Sequence, residues 1–334
     1  MNRITSKTVL LGISAFLCIG NASHAANTFT FLSADTTVNS NINTNYTIIG
    51  YSNLSDFSAN PRRNPTSPTI NLQSGGTPYG YIDTYNHSVL NMTGGNNGGV
   101  AIADKSTFNF AGGFCYEMLV VNSSVTNMNG GNVGFANARN SSSVTMNSGS
   151  IGGYLQASDT SSFTLNGGSI GGVLTAFNNS AISINGGSVG QIISSVDNST
   201  LDMAGGNVGS SVQVNDSCVF NLRGGSIGAG NLSDGIYIFA SGTVNIFGAG
   251  LTDTLISSNN PPYYSSFSHY TLSGTLSDGT DLAGTNLYIA NGGGGRVIFN
   301  GRIAITSVPE PGSVPLFVGM GAIGVSILRK RRKG

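Results

Sequence analysis

The sequence predicts an all-β fold, a parallel β-helix of about ten 18–19-residue coils. Three observations carry the prediction: a glycine pair that returns at a fixed period, apolar columns of period two inside each copy, and no helical period anywhere in the copies. The second glycine of the pair, or its equivalent, falls at Gly76, Gly95, Gly113, Gly131, Gly149, Gly168, Gly187, Gly206 and Gly225, in steps of 18 or 19 residues. Nine copies held that closely mark a stacked repeat fold.

Aligning the copies on that glycine exposes the columns. Five residues before it stand Leu90, Phe108, Thr126, Val144, Phe163, Ile182, Leu201 and Phe220. Three before it stand Met92, Phe110, Met128, Met146, Leu165, Ile184, Met203 and Leu222. Apolar residues two apart face one side of a strand, so these columns form the inward face of one short strand. A second inward column, two after the glycine, runs Asn97, Cys115, Val133, Ile151, Ile170, Val189, Val208 and Ile227. Positions six and eight after it supply a third strand, as in Leu155/Ala157, Leu174/Ala176 and Val212/Val214. A repeat this short cannot bury its own apolar face, so like residues must stack above like.

The turns between strands explain the polar residues. Glycine reaches positive φ without a Cβ clash, which suits it to sharp corners. A further glycine often follows the inward Ile or Val, at Gly134, Gly152, Gly171, Gly190, Gly209 and Gly228, and is read as another such corner. Asn129, Asn147, Asn166 and Asn185 occupy one column, where amides stacked about 4.8 Å apart can hydrogen-bond from coil to coil. Leucine-rich, helical and calcium-binding nonapeptide repeats fit the spacing worse. A left-handed hexapeptide helix wants an Ile/Val-Gly step on every side, and only one appears; the right-handed form is favoured.

Composition narrows the class. Only 8% of the 334 residues are charged and 49 are glycine, too glycine-rich for a helical enzyme and too regularly patterned for disorder. The net charge of zero hides a division: residues 26–308 carry seven basic and thirteen acidic side chains, a net of −6. That argues against nucleic acid and anionic lipid surfaces. Residues 1–25 read as a signal peptide, with Arg3 and Lys7, the apolar run VLLGISAFLCIG (9–20), and Ser23-His24-Ala25 presenting Ala25 for cleavage. Residues 26–70 are read as an N-terminal cap that shields strand edges, and residues 71–250 as the repeats, with 243–250 as one last degenerate coil. Residues 251–306 are read as a C-terminal cap of antiparallel β-hairpins, from their alternation and the Asp278-Gly279 turn.

Residues 307–334 have three parts in order: Val308-Pro309-Glu310-Pro311, an apolar run from Val314 to Leu328, and the basic cluster Arg329–Lys333. This tail closely resembles the PEP-CTERM sorting signal of exported bacterial proteins, and YTLSGTLSDGTDL upstream is similar to segments often placed ahead of such tails. The resemblance implies recognition of Pro309, Glu310 and Pro311 by an exosortase, a membrane protease–transpeptidase of Gram-negative bacteria that make exopolysaccharide. It further implies a transmembrane sorting helix, transient anchorage in the inner membrane, and release of the body to the cell surface or extracellular matrix. The basic cluster would hold the tail's end on the cytoplasmic side. An ordinary single-span anchor is the alternative.

The body offers little chemistry. Ten residues after the reference glycine stand Asp159, Asn178, Asp197 and Asp216, with Asp197 and Asp216 on adjacent coils. Two carboxylates about 4.8 Å apart can share a proton or a Ca²⁺ ion; equally, Asp and Asn suit turns because their side chains bond the local backbone. No catalytic residue, metal ligand set or cofactor is assigned. Tyr116, Phe135, Tyr154 and Phe177 offer sugar-stacking faces if exposed, with core or corner packing the other reading. Cys115 and Cys218 lie between five and six coils apart, about 25 Å along the axis, too far for a disulfide; Cys115 fills an inward column. The expected function is a structural or adhesive surface or exopolysaccharide-matrix protein without enzymatic activity. The alternative is a polysaccharide lyase or glycoside hydrolase built on the same scaffold.

Overall fold

The computed structural model describes residues 9–11, 27–38, 46–50, 65–73, 80–228, 231–257, 267–290 and 294–302. Their strands form a parallel β-solenoid of about nine turns, and no helix occurs among them. The chain divides into two units, residues 1–302 and 303–334; the second, which includes the segment read as a sorting tail, lies outside the described residues.

Each coil lays one strand on each of three stacks, and the predicted columns become the registers of those stacks. In the first stack Ser162–Leu165 pairs in parallel with Ala181–Ile184, setting Phe163 on Ile182 and Leu165 on Ile184. The same register carries Leu90 onto Phe108, Thr126, Val144 and, further on, Leu201, Phe220 and Val244. The second stack sets Ile151 on Ile170 and Ile170 on Val189. The third sets Leu155 on Leu174, Ile193 and Val212. Apart from the half-buried Ile227, the inward members of all three are buried to within a few per cent and make one continuous core. Each buried Leu, Ile or Phe contributes about 1.5–3 kcal/mol, and only the neighbouring coils above and below keep water off it.

Polar residues interrupt the columns at several points, among them Ser195 in the third stack, fully buried with its hydroxyl 2.6 Å from that of Ser199. Thr126 sits between Phe108 and Val144, fully buried, and its hydroxyl has no partner among the described residues. Asn97, stacked on Cys115, places its amide nitrogen 3.4 Å from the Met92 sulfur.

The glycines prove to have two different reasons. The reference column from Gly95 to Gly225 does adopt positive φ, between +74° and +96°. The second glycine column does not: of Gly134, Gly152, Gly171, Gly190, Gly209 and Gly228, only Gly228 has positive φ. Close stacking accounts for most of the others. A Cβ on Gly171 would lie 2.5 Å from the carbonyl oxygen of Gly152 on the preceding coil. Reading that whole column as left-handed corners is therefore corrected to reading it mainly as close backbone approach.

The stack extends past the repeats at both ends. Asn27–Leu32 pairs in parallel with Tyr46–Ile49, which pairs with Tyr81–Thr84; Val9–Leu11 runs antiparallel to 27–29. Thr243–Ser257 pairs in parallel with Arg296–Arg302, so residues 243–250 are not the last coil. Thr285–Ala290 likewise adds in parallel to Gly235–Ile238. Between them Phe267–Leu276 runs antiparallel to both 243–257 and 285–290.

The amide ladder forms as the spacing requires. Asn147, Asn166 and Asn185 each donate from Nδ2 to Oδ1 of the asparagine one coil back, at 2.8, 2.8 and 2.9 Å. Two further ladders share the logic: Asn127–Asn109–Asn91–Asn71 and Asn245–Asn221–Asp202.

Candidate functional site

The predicted acidic column lies at the turn between the third strand of one coil and the first strand of the next. Asp159, Asn178, Asp197 and Asp216 all take left-handed φ, from +50° to +64°. Asp104, Asn122 and Asn140 belong to the same column. They escape an alignment ten residues after the glycine because their coils are one residue shorter. Each turn is closed by a backbone bond across its two central residues, as from Ser161 N–H to Ser158 C=O at 3.1 Å.

Short polar side chains tolerate this backbone and cap its neighbours. Asp159 Oδ2 accepts from the Asn140 backbone N–H at 2.9 Å, and its Oδ1 accepts from Asn178 Nδ2 at 3.3 Å. Asp197 Oδ2 accepts from Asn178 N–H at 3.0 Å, and Asp216 Oδ2 from Asp197 N–H at 3.3 Å. The structure thus brings Asp197 and Asp216 to adjacent exposed turns, where one oxygen of each serves the backbone. Among the described residues no group of three His, Cys, Asp or Glu side chains is placed to hold a metal ion.

The residue closing each turn went unread in the sequence. Ser88, Ser106, Ser124, Ser142, Ser161, Ser180 and Ser199 form a buried column that ends in Cys218. Most of these hydroxyls donate to backbone carbonyls, as from Ser161 to Ala138 C=O at 3.1 Å and from Ser180 to Ala157 C=O at 3.2 Å. Ser199 Oγ lies 3.3 Å from the Cys218 sulfur. The recurring Ser was the available signal, but a serine beside Asn or Asp is ordinarily taken for exposed turn. Both cysteines are free and buried. Burial pushes the Cys115 thiol up to about 12, and the thiol donates to Glu117 C=O at 2.9 Å.

At the N-terminal part of this ridge three successive turns bring polar residues together. Asn86, His87, Asp104, Lys105, Asn122 and Ser123 line an open depression of about 330 Å³. His87 N–H bonds Asp104 C=O at 3.2 Å, setting the two turns in register.

Of the four aromatic residues, Phe177 belongs to the turn of Asn178, and the other three occupy a different corner, between the second and third strands. Tyr116, Phe135 and Tyr154 lie on successive coils, with ring centroids 5.5 and 4.9 Å apart. Tyr116 is 53% and Tyr154 40% exposed, so both stand on the surface, while Phe135 and Phe177 are half-buried. Phe135 lies against Gly153 and Tyr81 against Gly99, each ring filling the space a side chain would take on the next coil. Glu117 stacks on Phe135 in this strip; burial, and then the Glu117 charge, raise the Tyr81 hydroxyl above its usual value.

Ala25, Pro309, Glu310 and Pro311 lie outside the described residues. No protein-family model, curated protein or solved structure matches the chain.

Proposed function

We propose that this chain is an exported, exosortase-processed protein of the cell surface or exopolysaccharide matrix of a Gram-negative bacterium, with a structural or adhesive role and no enzymatic activity. The observation that carries the reading is the order of parts in the tail: Pro309-Glu310-Pro311, then the apolar run 314–328, then the basic cluster 329–333. The leader ending at Ala25 supplies export, and the tail supplies a transient transmembrane helix and the handle for the exosortase. The body is a right-handed β-helix closed at its C-terminal end by the strands of residues 251–306. Its polar side chains support the structural role: the Asn ladders and the Asp/Asn turns direct their hydrogen bonds to other coils.

The test is the mature C-terminus. Mass spectrometry of the protein from cells carrying an exosortase should find the tail removed near Pro309–Pro311, and Glu310→Ala should leave it attached while export proceeds. Normal trimming of Glu310→Ala would sink the sorting reading. Incubation with exopolysaccharide should release neither reducing nor unsaturated ends; their release would replace the structural role with a lyase or hydrolase.

A further inference from the structure

We infer that the corner carrying Tyr116, Phe135 and Tyr154, with Phe114 beside it on the second strand, is a binding strip for a neutral polysaccharide, laid along the solenoid axis. The inference rests on the matrix role proposed above and names the site and the ligand class.

Among the described residues the large exposed aromatic side chains are Phe114, Tyr116 and Tyr154; Tyr116 and Tyr154 lie on this corner, and Phe114 stands two residues before Tyr116, at the start of the second strand. The large exposed aliphatic ones, Val125, Leu232, Leu255 and Ile298, lie elsewhere. An interface for another protein would gather aliphatic side chains around its aromatic anchors. Here the half-buried Val173 and Ile192 follow Tyr154 along the column, but no exposed aliphatic side chain joins them, and the remaining neighbours are polar or glycine. Phe114 stacks between Asn96 on one coil and Asn132 on the next, and Glu117 stacks on Phe135. Asn96 and Asn132 are exposed.

That alternation suits a sugar chain. A pyranose presents C–H groups on its faces and hydroxyls around its edge. Aromatic rings receive the faces, and amides and a carboxylate receive the hydroxyls. The spacing follows from the fold: Tyr116 and Tyr154 are two coil rises apart, about 10 Å along the axis, the reach of two hexopyranose rings in an extended chain. Phe135, pressed against Gly153, fixes the two exposed rings from between. The strip holds one carboxylate and no cation, and the body around it is acidic, so the ligand is neutral rather than polyanionic.

The experiment is affinity electrophoresis of the mature protein through gels containing hydroxyethylcellulose, galactomannan, dextran, alginate or exopolysaccharide purified from producing cells. At least one neutral glycan, and not alginate alone, should retard the wild type. Each ring removed, Tyr116→Ala or Tyr154→Ala, should weaken retardation roughly two- to tenfold, whereas Tyr116→Phe keeps it. The protein has 12 tyrosines and no tryptophan, so a change in tyrosine emission on adding glycan that the double Ala variant loses reports the same contact, and an unchanged melting curve shows the variants folded. Absence of retardation by every glycan, retardation by alginate only, or retardation indifferent to the double Ala variant would overturn the inference. So would a double variant that changes self-association and leaves glycan retention intact, since the strip would then be a protein interface. Co-fractionation of wild type and double variant alike with the matrix would leave the matrix role standing and refute only this site. A wild type absent from the matrix would refute the role, with the gel result still deciding the strip.

Discussion

Four glycines separate the two reasons a corner can demand glycine. Gly152 has ordinary φ, and an added Cβ would meet nothing nearer than Val133 C=O at 3.9 Å. Gly279 has φ +93° but open space around it. Gly171 has ordinary φ, but a Cβ would lie 2.5 Å from Gly152 C=O. Gly168 combines φ +83° with approaches of 2.5 Å to Gly149 C=O and 2.7 Å to Met146 Cε. Left-handed backbone costs a non-glycine residue about 1–2 kcal/mol, and forcing atoms into a filled space costs about 1–3 kcal/mol. Alanine at these sites should therefore cost about 0 at Gly152, ~1–2 kcal/mol at Gly279 and ~1–3 kcal/mol at Gly171. At Gly168 the two penalties combine to ~2–5 kcal/mol, a fall in Tm of roughly 5–15 °C for a body of this size. Urea denaturation of the four variants, followed by far-UV circular dichroism, measures the series. If Gly168→Ala is no worse than Gly152→Ala, the assignment of the reference column to crowded left-handed corners is wrong. If Gly171→Ala is neutral, the close-approach argument fails while the φ argument survives.

Other outcomes follow from single residues. Thr126→Val should stabilise by about 1 kcal/mol, because it removes a buried hydroxyl with no partner and keeps the shape; destabilisation in urea would mean the hydroxyl is satisfied. Native protein should resist alkylation at Cys115 and Cys218 until unfolded, and Cys218→Ser should fold normally because it continues the serine column. The raised Cys115 thiol favours the folded state below about pH 9; that contribution is lost as pH climbs toward about 12, visible as falling Tm across that window. Asp278 caps Gly225 N–H at 2.8 Å and Thr280 N–H at 2.9 Å. Burial raises its carboxyl, but the bonds from Thr280 and Gly225 outweigh burial and hold it below the usual range. Its contribution is therefore present above the ordinary carboxylate value and lost as pH falls through the depressed one. Hydrogen exchange of residues 267–290 should accelerate in Asp278→Ala at pH 7, and in the wild type only in acid.

The columns were legible because stacking turns periodicity directly into contact. Phe163, Ile182 and Leu201 needed only counting to be placed above one another, and the same counting set Cys115 and Cys218 apart. The acidic column was half legible: Asp159 to Asp216 align in 19-residue coils, while the one-residue deletion in the shorter coils hid Asp104, Asn122 and Asn140. The buried serines were invisible for a chemical reason. A hydroxyl on a turn ordinarily meets water, and here carbonyls of the same turn or of the coil beneath receive most of the buried ones. Exposure of Tyr116 and Tyr154 was equally beyond the sequence, since position in the repeat names the corner but not what covers it. The strands after residue 257 were half legible: alternation and tight turns announced the antiparallel pairings of 267–276 with 243–257 and 285–290, but not the parallel return of 285–290 and 296–302 to the stack.

The three amide ladders have a direction. From Asn91 to Asn127, from Asn147 to Asn185, and from Asn221 to Asn245, every Nδ2 donates toward the preceding coil. A chain that emerges N-terminus first therefore always offers its vacant acceptor at the growing end, and each arriving coil brings the matching donor. Assembly can proceed vectorially, each finished coil templating the next while the remainder is still in transit. Chains shortened from the C-terminus at a coil boundary should keep their upstream amides protected from exchange, whereas chains shortened from the N-terminus begin without a template.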